Sequence, residues 1–195
     1  MIKLLISAVI AYFMGNISPA ILISKALGGD IREKGSGNAG STNMLRNYGK
    51  KAAVATLAVD VLKGFIAVKL GALIAGETGC YLAAVCVMAG HIWPAVFGFK
   101  GGKGVATALG TLLAVDAKMA LIVLVFALAL MAVTKMVSLG SVCAAAVLPV
   151  LSFFIHRAFA PYGLVMAAIV IFKHRSNIQR ILNGTESKLD FSKYK

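Results

Sequence analysis

The run Phe97-Gly98-Phe99-Lys100-Gly101-Gly102-Lys103-Gly104-Val105-Ala106-Thr107 sets glycines on both sides of a lysine, directly ahead of a helix-compatible apolar segment. Glycines let successive backbone N–H groups turn inward as an anion-binding nest, and the start of the next helix adds its positive dipole end. A phosphate fits such a loop, with Lys103 as the charged clamp and Gly101, Gly102, Gly104 and Thr107 around it. The spacing is not that of a P-loop, because Gly104 rather than Ser or Thr follows Lys103. A flexible glycine turn between two helices is the plain alternative.

Two further polar stretches carry chemistry. In Gly35-Ser36-Gly37-Asn38-Ala39-Gly40-Ser41-Thr42-Asn43, hydroxyls and amides alternate with glycine, and Arg46 follows. Exposed backbone N–H groups and small hydroxyls suit a phosphoryl or carbonyl oxygen, and Arg46 can hold a phosphate at two points. A solvated loop is the alternative. The third stretch runs Lys173-His174-Arg175-Ser176-Asn177-Ile178-Gln179-Arg180 and on to Glu186. As a helix it puts His174 and Asn177 on one face, with Ile178, Ile181 and Leu182 as an apolar stripe. Lys173, Arg175 and Arg180 then read as a basic face for anionic lipid headgroups. His174 stands apart, because imidazole titrates near neutrality. Ser141, after the turn at Lys135, offers a hydroxyl to a substrate or to a neighbouring helix.

The elements that must position these stretches are membrane spans. Of 195 residues, 59% are hydrophobic and 14% charged, against about half and about a quarter in soluble domains. The chain reads as an all-α, polytopic integral membrane bundle, a single domain over 1–195. Leu4–Ser24 is the first span, followed by Ala52–Ala75, a tight turn at Gly76-Glu77-Thr78-Gly79, and Tyr81–Phe97. From Val105 to Phe172 the apolar sequence breaks at Asp116-Ala117-Lys118, at Thr134-Lys135 and at His156 to Pro161. Two of the resulting segments, Val105–Val115 and Tyr162–Phe172, are short for a straight crossing. Seven crossings follow if every break is a turn, and five full spans if those two segments enter part-way. Either way the basic loop 25–51, the Lys103 loop and the basic tail from Lys173 share a face. The positive-inside rule places that face in the cytoplasm, with the N-terminus outside and the C-terminus inside.

Within the spans, Asp60 and Lys63 lie one turn apart and can pair, and His91 stands near the cytoplasmic end of its span. The net charge of +13 sits in loops and lacks any aromatic-basic nucleic-acid motif. The cysteines lack metal-ligand spacing, so neither a metal nor another cofactor is expected. Carboxylates are few and scattered, and no His is followed five positions later by Asp. A carboxylate-metal phosphotransferase and a His–Asp acyltransferase are therefore both excluded. Three anion-binding segments at one membrane surface predict a site for phosphorylated substrates. A transporter would carry its polar site near mid-membrane, so the placement favours an enzyme.

The three motifs, in this order and spacing, resemble those of the acyl-phosphate:glycerol-3-phosphate acyltransferases (PlsY) of bacterial phospholipid synthesis, over nearly the whole chain. The resemblance implies an essential Ser36 and Arg46, with Gly35, Gly37, Asn38 and Asn43 beside them. It implies a glycerol-phosphate loop at Gly101, Gly102, Lys103 and Gly104, a His174 and Asn177 needed for activity, and a structural Glu186. Ser41 stands where the family usually has Ala. The implied reaction is attack by the sn-1 hydroxyl of glycerol 3-phosphate on a fatty acyl phosphate at the inner membrane, giving 1-acyl-glycerol 3-phosphate and phosphate. Membrane lipids are the remaining partners; no obligate protein partner is inferred. The general base is His174, Ser36 or the substrate's own phosphate.

Overall fold

A computed structural model describes residues 1–189; the end of the basic tail, 190–195, lies outside the described residues. The fold is all-helical, and the described residues form two compact units that divide between Val115 and Asp116.

The first unit contains α1 (Ile2–Gly15), α2 (Pro19–Ala26), α3 (Ser41–Ile92) and α4 (Val105–Val115). The expected first span is broken. Pro19 opens α2, and Ser18 before it is extended at φ −110 and ψ 92, as the clash with a following proline ring requires. Asn16 fills the gap, its amide donating to Tyr12 O (2.7 Å) while its Oδ1 accepts from Val96 N (3.2 Å).

The long α3 is a hairpin. Its backbone leaves helical geometry at Gly49, Ala75 and Gly76, and Gly76 at φ 65 makes the reversal that a residue with Cβ resists. The expected turn at 76–79 is therefore present, entered one residue earlier. Residues 77–92 pack alongside α1, where Ser7 Oγ donates to Gly79 O (3.3 Å) and Tyr12 OH to Trp93 O (2.7 Å). A Cβ on Gly90 would meet Tyr12 O at 2.0 Å, so glycine is what lets these backbones touch. Small-residue contacts of this kind are the usual means of packing helices in lipid. Ala11, Ala67, Ala83 and Val87 fill the seam. Lys69 Nζ donates to Ala114 O (3.0 Å), satisfying a carbonyl at the end of α4.

The second unit contains α5 (Ala117–Thr134), α6 (Val137–Ile155), α7 (Ala160–Lys173) and α8 (Arg175–Leu182). Its breaks fall where the sequence puts them. Asp116 caps α5 by accepting from Met119 N (2.9 Å), and Lys135 closes it in the left-handed region at φ 61. Ile2–Ala26, α5 and α6 are long and apolar enough to cross a membrane. The eleven residues of α4 span only ~16 Å, as the sequence predicts for a short segment.

Candidate active site

In the first unit the structure joins the two loops that sequence placed on one face. Arg32 bridges them, donating from Nη1 to Phe97 O (2.8 Å), and Asp30 holds Arg32 through Nη2 to Oδ2 at 2.7 Å. That hydrogen bond is the main reason the Asp30 carboxyl falls to about 2, against an opposing push from burial. Phe97 also packs on the buried cluster of Ile31, Ala39 and Met44.

Asn43 organises the 35–43 loop. Buried on the first turn of α3, it donates from Nδ2 to Ile31 O (3.2 Å), Lys34 O (2.9 Å) and Asn38 O (3.1 Å). Its Oδ1 accepts from Ser36 N (3.2 Å) and Asn47 Nδ2 (3.0 Å). The expectation put Asn43 among the substrate-binding residues; in the structure its amide is committed to the loop. What it presents is Gly35, Ser36 and Gly37, all exposed, with the two glycines at φ 56 and 68. Asn38 and Arg46 are half-buried, Arg46 on the second turn of α3.

The Lys103 loop departs from the expected nest in one respect. Gly102 N donates to His91 O and Gly101 N to Ile92 O, both at 3.2 Å, so these amides bind backbone rather than an anion. Glycine is needed there for space: a Cβ would stand 2.0 Å from His91 O at position 101 and 2.2 Å from His91 Nε2 at position 102. The N–H groups that helix geometry leaves to an anion are those of the first turn of α4, preceded by the half-buried Lys103 and by Gly104 at φ 86. Thr107 is fully buried among the helices, with its carbonyl against Gly64.

Beneath this loop, Asp60 and Lys63 pair as expected, Nζ to Oδ1 at 2.6 Å. His91 completes the group, a partner that sequence reasoning missed.

In the second unit Glu186 is the hub. Its Oε1 accepts from Ser138 Oγ and from Asn177 Nδ2, and its Oε2 from Arg180 Nε, each at 2.7 Å. Burial raises the Glu186 carboxyl, but the bonds from Ser138, Asn177 and Arg180 outweigh it and hold the group below the ordinary carboxylate range. Arg180, expected to face lipid headgroups, is instead tied to this carboxylate. His174 lies at the α7–α8 junction, almost fully buried, with Nδ1 2.8 Å from Val170 O. A carbonyl can only accept, so Nδ1 carries the proton and Nε2 is the basic nitrogen. Ser141 donates to Val137 O (2.9 Å) in its own helix.

Comparison with known proteins settles the family. Residues 5–184 match the family model described as glycerol-3-phosphate acyltransferase. The chain belongs to that family. A glycerol-3-phosphate acyltransferase of Clostridioides difficile (strain 630) is 48% identical over 193 residues, covering 95% of each chain. One from Thermoanaerobacter sp. (strain X514) is 44% identical over 187 residues, covering 94% of each. The crystal structure of PlsY (YgiH), an integral membrane glycerol 3-phosphate acyltransferase in its glycerol 3-phosphate form, superposes with a TM-score of 0.93 at 35% identity, covering 97% of each chain. Its lysophosphatidic acid form superposes with a TM-score of 0.89 at the same identity, covering 96% of this chain and 95% of that one. The protein is thus a membrane acyltransferase of the PlsY family.

Proposed function

We propose that this protein transfers a fatty acyl group from acyl phosphate to the sn-1 hydroxyl of glycerol 3-phosphate at the cytoplasmic face of the bacterial inner membrane. The products are 1-acyl-glycerol 3-phosphate and inorganic phosphate, and the step is the first acylation of phospholipid synthesis. On this reading the chain crosses the membrane seven times, or five with Val105–Val115 and Tyr162–Phe172 entering part-way, and its N-terminus is outside. The observation that carries this reading is the joining of the 35–43 loop to the Lys103 loop through Arg32 and Phe97, in a chain that superposes on a family member holding glycerol 3-phosphate.

The chemistry suits the residues. An acyl phosphate is a mixed anhydride with a good leaving group, so the hydroxyl attacks its carbonyl directly and phosphate departs without an acyl-enzyme. What the protein must supply is the placement of two mutually repelling anions. Lys103 with the first-turn N–H groups of α4 holds the glycerol phosphate, beside Gly101, Gly102 and Gly104. Arg46 and the loop of Gly35, Ser36, Gly37 and Asn38, shaped by Asn43, hold the acyl phosphate. His174 accepts the hydroxyl proton at Nε2, and Asn177 orients the reacting groups. Ser141 contributes a hydroxyl at the substrate and Glu186 holds the corner together. The acyl tail stays among the lipids throughout.

Purified protein incubated with acyl phosphate and glycerol 3-phosphate should yield 1-acyl-glycerol 3-phosphate. Accumulation of glycerol 3-phosphate in sealed vesicles without acyl product would mark a transporter instead. Single cysteines at Ser36, Lys100 and Ser187 should all label from the cytoplasmic side; periplasmic labelling at any of them overturns the topology.

A further inference from the structure

The most costly group in the first unit is a set of charges buried inside its helices. Asp60 and Lys63 on α3 and His91 near its end are each at most 4% exposed. Lys63 Nζ lies 2.6 Å from Asp60 Oδ1, 2.6 Å from Ile17 O and 2.9 Å from His91 Nδ1. An ammonium has three N–H donors, and three neighbours surround this one. His91 Nδ1 also stands 3.2 Å from Asp60 Oδ1. With Lys63 donating to Nδ1, the ring carries its own proton on Nε2.

That nitrogen faces the Lys103 loop. The Cβ position of Gly102 is 2.2 Å from His91 Nε2 and 2.8 Å from Ala39 O, so the ring abuts the point where the Gly102 and Ala39 backbones meet. The His91 carbonyl holds the same glycine from its N–H. The ammonium also grips the α1–α2 break through Ile17, next to Asn16, which holds Val96 N. A buried charged network costs free energy that apolar packing would not. A simple helix-packing role does not require its imidazole to seat against a loop.

We propose that Asp60, Lys63 and His91 form a positioning network that fixes the height and tilt of the Gly101–Gly104 loop, and through it Lys103, for glycerol 3-phosphate. The inference rests on the assignment of that loop to glycerol 3-phosphate under Proposed function. The network touches no reacting atom. Displacing a substrate anchor by ~1 Å can cost ~10²-fold, so a lost support should appear in binding of one substrate more than in turnover.

The test is steady-state kinetics with both substrates varied, on purified protein whose elution profile and thermal midpoint are checked. H91A should raise the KM for glycerol 3-phosphate about tenfold, with kcat and the KM for acyl phosphate changed less than about threefold. H91Q, which keeps a polar side chain under Gly102, should recover part of that loss. G102A should raise the same KM on its own, and G102A combined with H91A should be milder than the product of the two, because the imidazole, the nearer of the two groups a Cβ would meet, is gone while Ala39 O remains. If H91A does not fold, H91Q and the charge-free pair D60N/K63M are read on the same KM. A glycerol 3-phosphate KM within twofold of wild type in a folded H91A or D60N/K63M overturns the proposal, as do equal losses in both substrates or strictly multiplicative G102A and H91A effects. K103A separates the two readings: if it leaves that KM unchanged, the loop assignment itself fails.

Discussion

Around Asn43 a neutral amide holds a loop by gripping backbone; around Glu186 an anion holds a helix end by gripping side chains. The first arrangement draws on three carbonyls and one N–H close in sequence, and its strength does not depend on protonation. The second gathers Ser138, Asn177 and Arg180 onto one carboxylate, and protonating that carboxylate weakens all three bonds. One region is therefore built to keep a shape and the other to hold groups with charge. Variants that remove shape and variants that remove charge should fail differently.

The largest effect is expected at His174, the base proposed above, which lies at the α7–α8 junction. His174→Ala should lower kcat by about 10²–10⁴-fold and flatten the acidic limb of the pH–rate profile. An unchanged acidic limb would assign the proton to Ser36 or to the substrate's phosphate. Next comes the shape-held loop. Asn43→Ala takes one donor from each of three carbonyls and the acceptor from Ser36 N, and should cost about 2–3 kcal/mol of stability with about 10²-fold in activity. Asn43→Asp should be no better, because a carboxylate would face the same carbonyls; an active, stable N43D would show that the amide donors are dispensable. Lys103→Ala should raise the glycerol 3-phosphate KM about tenfold while kcat changes less, as removal of ground-state binding does.

Much of this organisation was legible in sequence. Apolar runs and polar punctuation locate the breaks at Asp116, Lys135 and His156, because charged and polar side chains are costly in hydrocarbon and gather at the ends of apolar runs unless, like Asp60 and Lys63, they pair. The Asp60–Lys63 pair was legible too, since residues one helical turn apart must meet. What pattern could not carry was partnership across the fold. His91 joins Lys63 from 28 residues away, and Arg32 reaches Phe97 across 65; no local period records either contact. The glycines of the Lys103 loop illustrate the same limit. Sequence shows that they lack side chains, but whether that frees φ or makes room depends on the neighbour, and at 101 and 102 it makes room. Arg180 looked like a lipid-facing cation because its partner, Glu186, follows an irregular turn whose direction sequence does not fix.

A smaller effect tests the charge-held side directly. Glu186→Ala should destabilise by about 2–3 kcal/mol, and Glu186→Gln by less, because the amide oxygen still accepts from Ser138 and Asn177. The folded carboxyl titrates below its ordinary 4.5. Its stabilisation is therefore fully present above that value and is lost as pH falls through the lowered folded one. The thermal midpoint of wild type should converge on that of E186Q under acid; a constant gap down the whole range would mean that the charge contributes nothing.

The smallest effect concerns the Asp30–Arg32 ion pair beside the shape-held loop. Asp30 falls from 3.8 to about 2 through Arg32, so its stabilisation is complete above 3.8 and disappears as pH drops toward 2. The pair is partly exposed, with side chains 23% and 16% accessible, and salt screens such contacts. Asp30→Asn should therefore cost only about 1 kcal/mol, less at high ionic strength. Arg32 keeps its bond to Phe97 O but loses the carboxylate that aims it, so the glycerol 3-phosphate KM should rise by no more than about threefold. If D30N instead matches N43A in severity, the loops are joined by charge rather than by shape, and the contrast with the Glu186 corner disappears.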